Sequence, residues 1–361
     1  PPHRAHTYIP RLAESAVRRL SASFPVVLVT GARQVGKTTL LRHLAATDSP
    51  PRRYVSLDDF NARTLALQDP GLFLQAWPAP VLIDEVQHAP ELLAHIKPLA
   101  DANETPGGWW LTGSQHFPLM RGVSESLAGR VGIVQLHGLA AAELGRRAHG
   151  PLPFRPDRAS EGGGPAELLD VFERIVRGSF PRLVHDDAPP VAAWYDSYLQ
   201  TYVQRDVRAM MNIRNLNDFQ RFLRVAASRI GQLLNYADIA RDVGVSVNTV
   251  RDWLELLAAT FQVHLLRPYF ANIGKRQLKT PKLYFADTGL VCHLVGWHGA
   301  RSASSGAMAG ALFENHVVNE LLASYRHRGL EPPLWFWRDK EGREVDVLIA
   351  EQGELFPMEI K

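Results

Sequence analysis

The apolar run Val26-Val27-Leu28-Val29 opens onto Gly31-Ala32-Arg33-Gln34-Val35-Gly36-Lys37-Thr38, and Thr39-Leu40-Leu41-Arg42-His43-Leu44 continues with helical spacing. A G-x-x-x-x-G-K-T stretch held between a buried strand and a helix leaves the chain few ways to fold. The two glycines let successive amide N–H groups turn inward around an anion without a Cβ in the way. The helix that starts at Thr38 adds the positive end of its dipole at the same spot. Lys37 would reach the outer phosphates of a nucleotide, and the Thr38 hydroxyl would ligate Mg²⁺. Gly31 through Thr38, with Thr39, are therefore the expected nucleotide contacts. A glycine turn ahead of a core helix is the plainer reading, and the strand-loop-helix context argues against it.

At 361 residues the chain can hold two or three domains, each with its own core. Hydrophobic residues make up 46% and charged residues 21%, as in ordinary soluble proteins, and the net charge is only +3. The charge is uneven: Lys275, Lys279 and Lys282, three of seven lysines, fall with Arg267 and Arg276 in one short segment. Such a cluster suits phosphate contacts, and a solvated face is the alternative. The lone Cys292 excludes an internal disulfide and a cysteine zinc site, which favours a reducing compartment. No apolar run approaches the ~20 residues of a membrane span. Nothing near Pro1 resembles a signal peptide, so a cytoplasmic protein is the default expectation. The missing initial Met and the ending at Lys361 suggest a piece of a longer product.

Residues 11–21 read as an amphipathic helix. Strands are expected at 54–57, 81–83, 109–112 and 131–136, alternating with helices near 89–100 and 117–127. That alternation predicts an α/β domain over residues 1–148, a parallel sheet with helices on both faces. Val81-Leu82-Ile83-Asp84-Glu85 would deliver two carboxylates to the sheet edge where the phosphate loop emerges. Asp84 would hold Mg²⁺, and Glu85 would polarise the attacking water as a general base. Ser114 or Gln115, ending the next strand, would orient that water or contact the γ-phosphate. Arg130 would neutralise phosphoryl charge, in its own chain or in a neighbouring subunit, with a surface ion pair as the alternative.

Gly31–Thr38, Leu82-Ile83-Asp84-Glu85-Val86-Gln87, Leu111-Thr112-Gly113-Ser114 and Ser126-Leu127-Ala128-Gly129-Arg130 together resemble the AAA-type ATPases of bacteria and archaea that carry a C-terminal DUF4143 region. The resemblance covers nearly the whole chain. It implies a P-loop ATPase core with Lys37, Thr38, Asp84 and Glu85 at the Walker positions. Arg130 matches a family arginine, but the match does not assign its role.

Residues 149–165 are rich in Gly and Pro and read as a loop leading into a helical region that ends near 230. Helices are expected at 167–177, 191–208 and 216–230. Arg205 and Asp206 would couple the ATPase to the C-terminal modules or form a structural ion pair. Residues 231–285 carry a winged helix-turn-helix pattern, with a first helix at 236–243, Gly244 as the turn and Ser246 capping a second helix to Ala259. Asn248, Thr249 and Arg251 would then face bases, and the basic segment 267–282 would be a wing on phosphates. Asp252 and Glu255 on the same face oppose phosphate, and protein packing is the competing use of the motif.

Residues 286–361 resemble an incomplete PD-(D/E)xK nuclease core, a small α+β domain in which a helix bearing Glu314 precedes strands at 334–337, 344–349 and 356–361. Asp346 and Glu359 would hold a second divalent metal, and Lys361 would position water. Glu359 and Lys361, two apart, would share a strand face. The combined expectation is a Mg²⁺-dependent ATPase that acts on nucleic acid, preferably DNA, as a homo-oligomer away from membranes. An ATP-gated nuclease and a nucleotide-switched regulator of protein partners are the alternatives.

Overall fold

The computed structural model describes residues 7–49, 51–103, 105–114, 126–145, 153–158, 166–185, 187–202, 207, 215–270 and 280–361. Two compact units divide the chain: Pro1–Pro153 with Ala323–Glu331, and Phe154–Leu322 with Pro332–Lys361. Gln115, most of the helix expected at 117–127, Gly162 to Gly164, Arg205, Asp206, Lys275, Arg276 and Lys279 lie outside the described residues.

The first unit is built on β1 (Val26–Thr30), β2 (Arg53–Ser56), β3 (Val81–Asp84), β4 (Trp109–Gly113) and β5 (Val131–Gln135). All pair in parallel, in the order β2-β3-β4-β1-β5. The central strands are covered on both faces, which is why they read as unbroken apolar runs. Among the described residues it also holds helices α1 (Ala13–Ser21), α2 (Lys37–Ala45), α3 (Phe60–Gln68), α4 (Pro70–Ala76), α5 (Leu92–Asn103) and the single turn α6 (Ala141–Leu144). Ala66, Phe73, Leu92 and Ile96 from α3 to α5 join Val26, Leu28, Ile83 and Leu111 in one buried cluster. On the opposite face, α1 lies so close to β5 that a Cβ at Gly132 would stand 2.8 Å from the Leu20 Cβ.

The sequence reading missed α3 and α4, which have little apolar periodicity but clear start signals. Asp59 and Asp69 accept the Ala62 and Leu72 N–H groups, and Pro70 opens α4. Because every strand is parallel, the residues beyond the ends of the five strands share one edge of the sheet.

The second unit contains α7 (Leu168–Arg177), α8 (Val191–Tyr202), α9 (Leu216–Ala227), α10 (Tyr236–Val243), α11 (Val247–Ala259), α12 (Thr288–Val295), α13 (Ala300–Ser305) and α14 (Ala309–Arg326). The residues of α14 from Ala323 onward belong to the first unit. β6 (Val263–Leu266) and β7 (Lys282–Phe285) form an antiparallel hairpin. β8 (Leu334–Arg338), β9 (Glu344–Glu351) and β10 (Glu354–Met358) form an antiparallel sheet in the order β10-β9-β8. Asp287 caps α12 and ties three segments together. It accepts the Leu290 N–H at 2.8 Å, the Tyr195 hydroxyl at 2.6 Å, and the Ser179 N–H and hydroxyl at 2.7 and 2.8 Å. Among the described residues no helix is long and apolar enough to cross a membrane.

Candidate active site

The loop after β1 departs hard against the end of β5. A Cβ at Gly31 would stand 2.1 Å from the Leu136 carbonyl oxygen, so only glycine fits there. Gln34 at φ 62 and Gly36 at φ 95 are both left-handed, which turns the intervening peptides into a concave nest. Gly36 caps α2 without any side-chain hydrogen bond, leaving the first-turn amides to face an anion. Lys37 is buried, and its Nζ donates to the Gly31 and Ala32 carbonyls at 3.1 and 2.9 Å.

Beside the nest, Asp84 ends β3 and is 5% exposed. Its Oδ1 accepts hydrogens from the Thr38 and Thr112 hydroxyls, each at 2.6 Å. Its Oδ2 accepts from Tyr54 at 3.3 Å and Ser56 at 3.5 Å. Burial, and then the Asp84 charge, push the Tyr54 phenol above its usual range, so it remains a donor. Glu85 adopts a left-handed φ of 58, and its N–H donates to Thr112 Oγ1 at 2.9 Å. This bend aims its carboxylate away from Asp84 toward β4. There Glu85 Oε2 accepts from the Gln87 amide and from the Ser114 hydroxyl, the latter at 3.2 Å, while Gln87 also donates to Ser114 at 3.0 Å. An all-oxygen set at Thr38 and Asp84, next to the nest around Gln34 and Gly36, suits a hard divalent cation bound with a phosphate chain.

Residues 23–145 match the profile of an AAA domain. Residues 309–361 match a domain of unknown function, DUF4143, and residues 168–301 match another, DUF8612. The chain is 35% identical over 353 residues to two uncharacterized proteins, Mb2031c of Mycobacterium bovis and Rv2008c of Mycobacterium tuberculosis. The alignments cover 97% of this chain and 73% of each relative. The chain belongs to the AAA-type P-loop ATPase family with a C-terminal DUF4143 region. Among solved structures it is similar to the Walker-type ATPase paby2304 of Pyrococcus abyssi, at 16% identity and a TM-score of 0.49, over 78% of this chain and 94% of that one. It is also similar to AMPPCP-bound DnaA from Aquifex aeolicus, at 15% identity and a TM-score of 0.33, over 68% and 86% of the two chains.

Within the AAA unit, Arg130 does not join the site. It immediately precedes β5, whose Val131 is in register with Val26, the first residue of β1. The phosphate loop leaves the far end of β1, about 13 Å away along a five-residue strand. The Arg130 carbonyl accepts the Val26 N–H at 3.2 Å, and its guanidinium clasps Asp101 of α5, with Nη2 3.0 Å from Oδ2. The expected role of Arg130 in its own chain's site is therefore corrected to a surface ion pair at the opposite sheet edge. Thr112 was missed. Its signal was a lone hydroxyl ending an otherwise apolar strand. Tyr54 had no local signal.

In the DUF4143 region the expected metal ligands do not assemble. β10 stops at Met358, so Glu359 and Lys361 lie beyond the ladder rather than on one strand face. Past Met358 the Asp346 carboxylate takes over the hydrogen bonding, accepting the Ile360 N–H at 2.9 Å. Both outer side chains are exposed, with Lys361 Nζ 3.6 Å from Glu359 Oε1. The nearby carboxylates are claimed by Lys282, which is 3% exposed. Its Nζ lies 3.0 Å from Glu314 Oε1 and 4.0 Å from Asp346 Oδ1 and pairs with Glu344, while Tyr284 donates to Glu314. Lys282 is thus a buried counter-ion, not the phosphate contact expected of the basic segment. Among the described residues no group of three His, Cys, Asp or Glu is arranged to hold a metal. The residues do not fit a second divalent ion, since an ammonium already neutralises them.

Proposed function

We propose that this chain is a Mg²⁺-dependent ATPase whose nucleotide state is transmitted to a nucleic-acid-binding region. The observation that carries the reading is the Asp84 carboxylate, bonded at once to Thr38 of the loop and Thr112 of β4 beside the uncapped amides of α2. Lys37 would exchange the Gly31 and Ala32 carbonyls for phosphate oxygens. Thr38 and Asp84 would hold magnesium, which supplies charge neutralisation for the phosphate oxygens. Glu85 would take a proton from the water that attacks the γ-phosphorus as the bond to the leaving β-phosphate oxygen breaks. Ser114 and Gln87 keep the Glu85 carboxylate at its post. Lys37→Ala is expected to abolish ATP turnover. Glu85→Gln should retain ATP and lose about 10²–10⁴-fold in kcat. Isothermal titration with ATP and a phosphate-release assay read both, and a Glu85→Gln protein turning over at the wild-type rate removes the general-base role.

The nucleic-acid part rests on α9, α10 and α11 together with the β6–β7 hairpin, the layout of a winged helix. Asn248 and Arg251 are exposed at the start of α11. Thr249 is spent on capping, with its N–H 3.1 Å and its hydroxyl 2.8 Å from Ser246 Oγ. DNA-stimulated ATP turnover that fades with rising salt would support this part, because phosphate contacts release counterions.

A further inference from the structure

Arg11 precedes α1, is 5% exposed, and directs its guanidinium at the phosphate loop. Nη1 donates to the Val35 carbonyl at 2.8 Å, and Nη2 donates to the His137 and Gly138 carbonyls at 2.8 and 3.2 Å. Nε faces Glu143 Oε1 at 3.1 Å. Glu143 is fully buried and accepts the Leu12 N–H at 2.8 Å and the Ala140 N–H at 2.9 Å. His327, also fully buried, places Nδ1 3.1 Å from Glu143 Oε1 and accepts the His137 N–H at Nε2, 2.9 Å away. A backbone N–H can only donate, so Nε2 carries no hydrogen and the ring is neutral with its hydrogen on Nδ1. His327 reaches this group from the Ala323–Glu331 segment, which the first unit includes although it lies far along the chain.

A buried ion pair is a poor stabiliser, since apolar residues of similar volume often serve as well. What this pair adds is geometric. In a planar trans peptide the C=O and the following N–H point in opposite directions. Drawing the Val35 carbonyl outward to Arg11 therefore turns the Gly36 N–H inward, into the nest formed around Gln34 and Gly36. The same guanidinium ties the loop to the residues that leave β5. We infer that Arg11 is a positioning residue for nucleotide binding, setting the Val35–Gly36 peptide, with Glu143 and His327 holding its guanidinium in place. The inference rests on the ATPase reading and adds residues from both ends of the chain to that site.

The test uses the full chain and compares wild type, Arg11→Lys, and the charge-free pair Arg11→Met with Glu143→Leu, alongside Lys37→Ala. Lysine keeps the charge opposite Glu143 but cannot span three carbonyls. Arg11→Lys should melt near the wild-type temperature without nucleotide, yet bind ATP about tenfold more weakly with a matching rise in KM. The charge-free pair, which strands the Leu12 and Ala140 N–H groups, should melt lower but bind ATP no more weakly than Arg11→Lys. Wild-type affinity in either folded variant overturns the inference. So does a loss of affinity that tracks a loss of nucleotide-free thermal stability, the pattern of a purely structural role. A wild-type chain that binds ATP no better than Lys37→Ala fails the ATPase reading itself and is recognised as that separate failure.

Discussion

Asp84 receives hydroxyl hydrogens from Thr38 and Thr112 at 2.6 Å, so one carboxylate oxygen joins the loop, β3 and β4. Asp84→Asn keeps the shape but discards the charge that would attract magnesium. ATP turnover should drop about 100-fold, since the cation supplies several kcal/mol of charge stabilisation. ATP affinity in EDTA should stay unchanged, which a titration with and without magnesium would reveal. Asp287 has a structural version of the same job. Replacing it by Ala strands the buried Leu290 N–H and the part-buried Ser179 N–H and leaves the Tyr195 hydroxyl only the Arg177 carbonyl. Urea unfolding of the Asp287→Ala chain should show a loss of about 3 kcal/mol, the cost of broken bonds to a charged acceptor.

At the scale of elements, short polar signals decided where helices begin. Ser246 accepts the Thr249 N–H and opens α11, and Gly244 at φ 84 closes α10 in the left-handed conformation. Ser246→Ala should cost about 1 kcal/mol in thermal or urea unfolding. It should also weaken any DNA binding by loosening the first turn that carries Asn248 and Arg251. Asp59 and Asp69 acted alike for α3 and α4, helices that an amphipathic search passes over. β10 shows the converse. Its Glu-x-Lys tail looks like a continuing strand, yet the ladder ends at Met358 because Asp346 captures the Ile360 N–H.

Across the whole molecule, a half-buried and a fully buried histidine link stability to pH. Burial, and then the charge of Arg174, push His316 down to about 4. Between its ordinary value near 6.5 and about 4, the unfolded chain takes a proton that the folded chain refuses. Stability is therefore held above about pH 6.5 and falls as the pH drops. Between pH 7 and 5 the loss from this group is about 2 kcal/mol. His327, also lowered by burial, adds in the same direction. Urea midpoints at the two pH values should show the fall, and His316→Gln should shrink it.

The sequence alone located the phosphate loop, Asp84 and Glu85, because these depend on local order: an apolar strand, a glycine-bearing turn, a helix, and carboxylates placed where a buried strand must stop. The tertiary structure decided what depends on pairing across the chain. The register of β5 with β1 carried Arg130 to the far edge of the sheet. The packing of α14 against β7 placed Glu314 beside Lys282 and turned an expected phosphate contact into a buried counter-ion. Arg11, Glu143 and His327 meet only because α1, the exit of β5 and the end of α14 converge. Local periodicity records which face a residue takes, while long-range packing alone selects the partner it meets there.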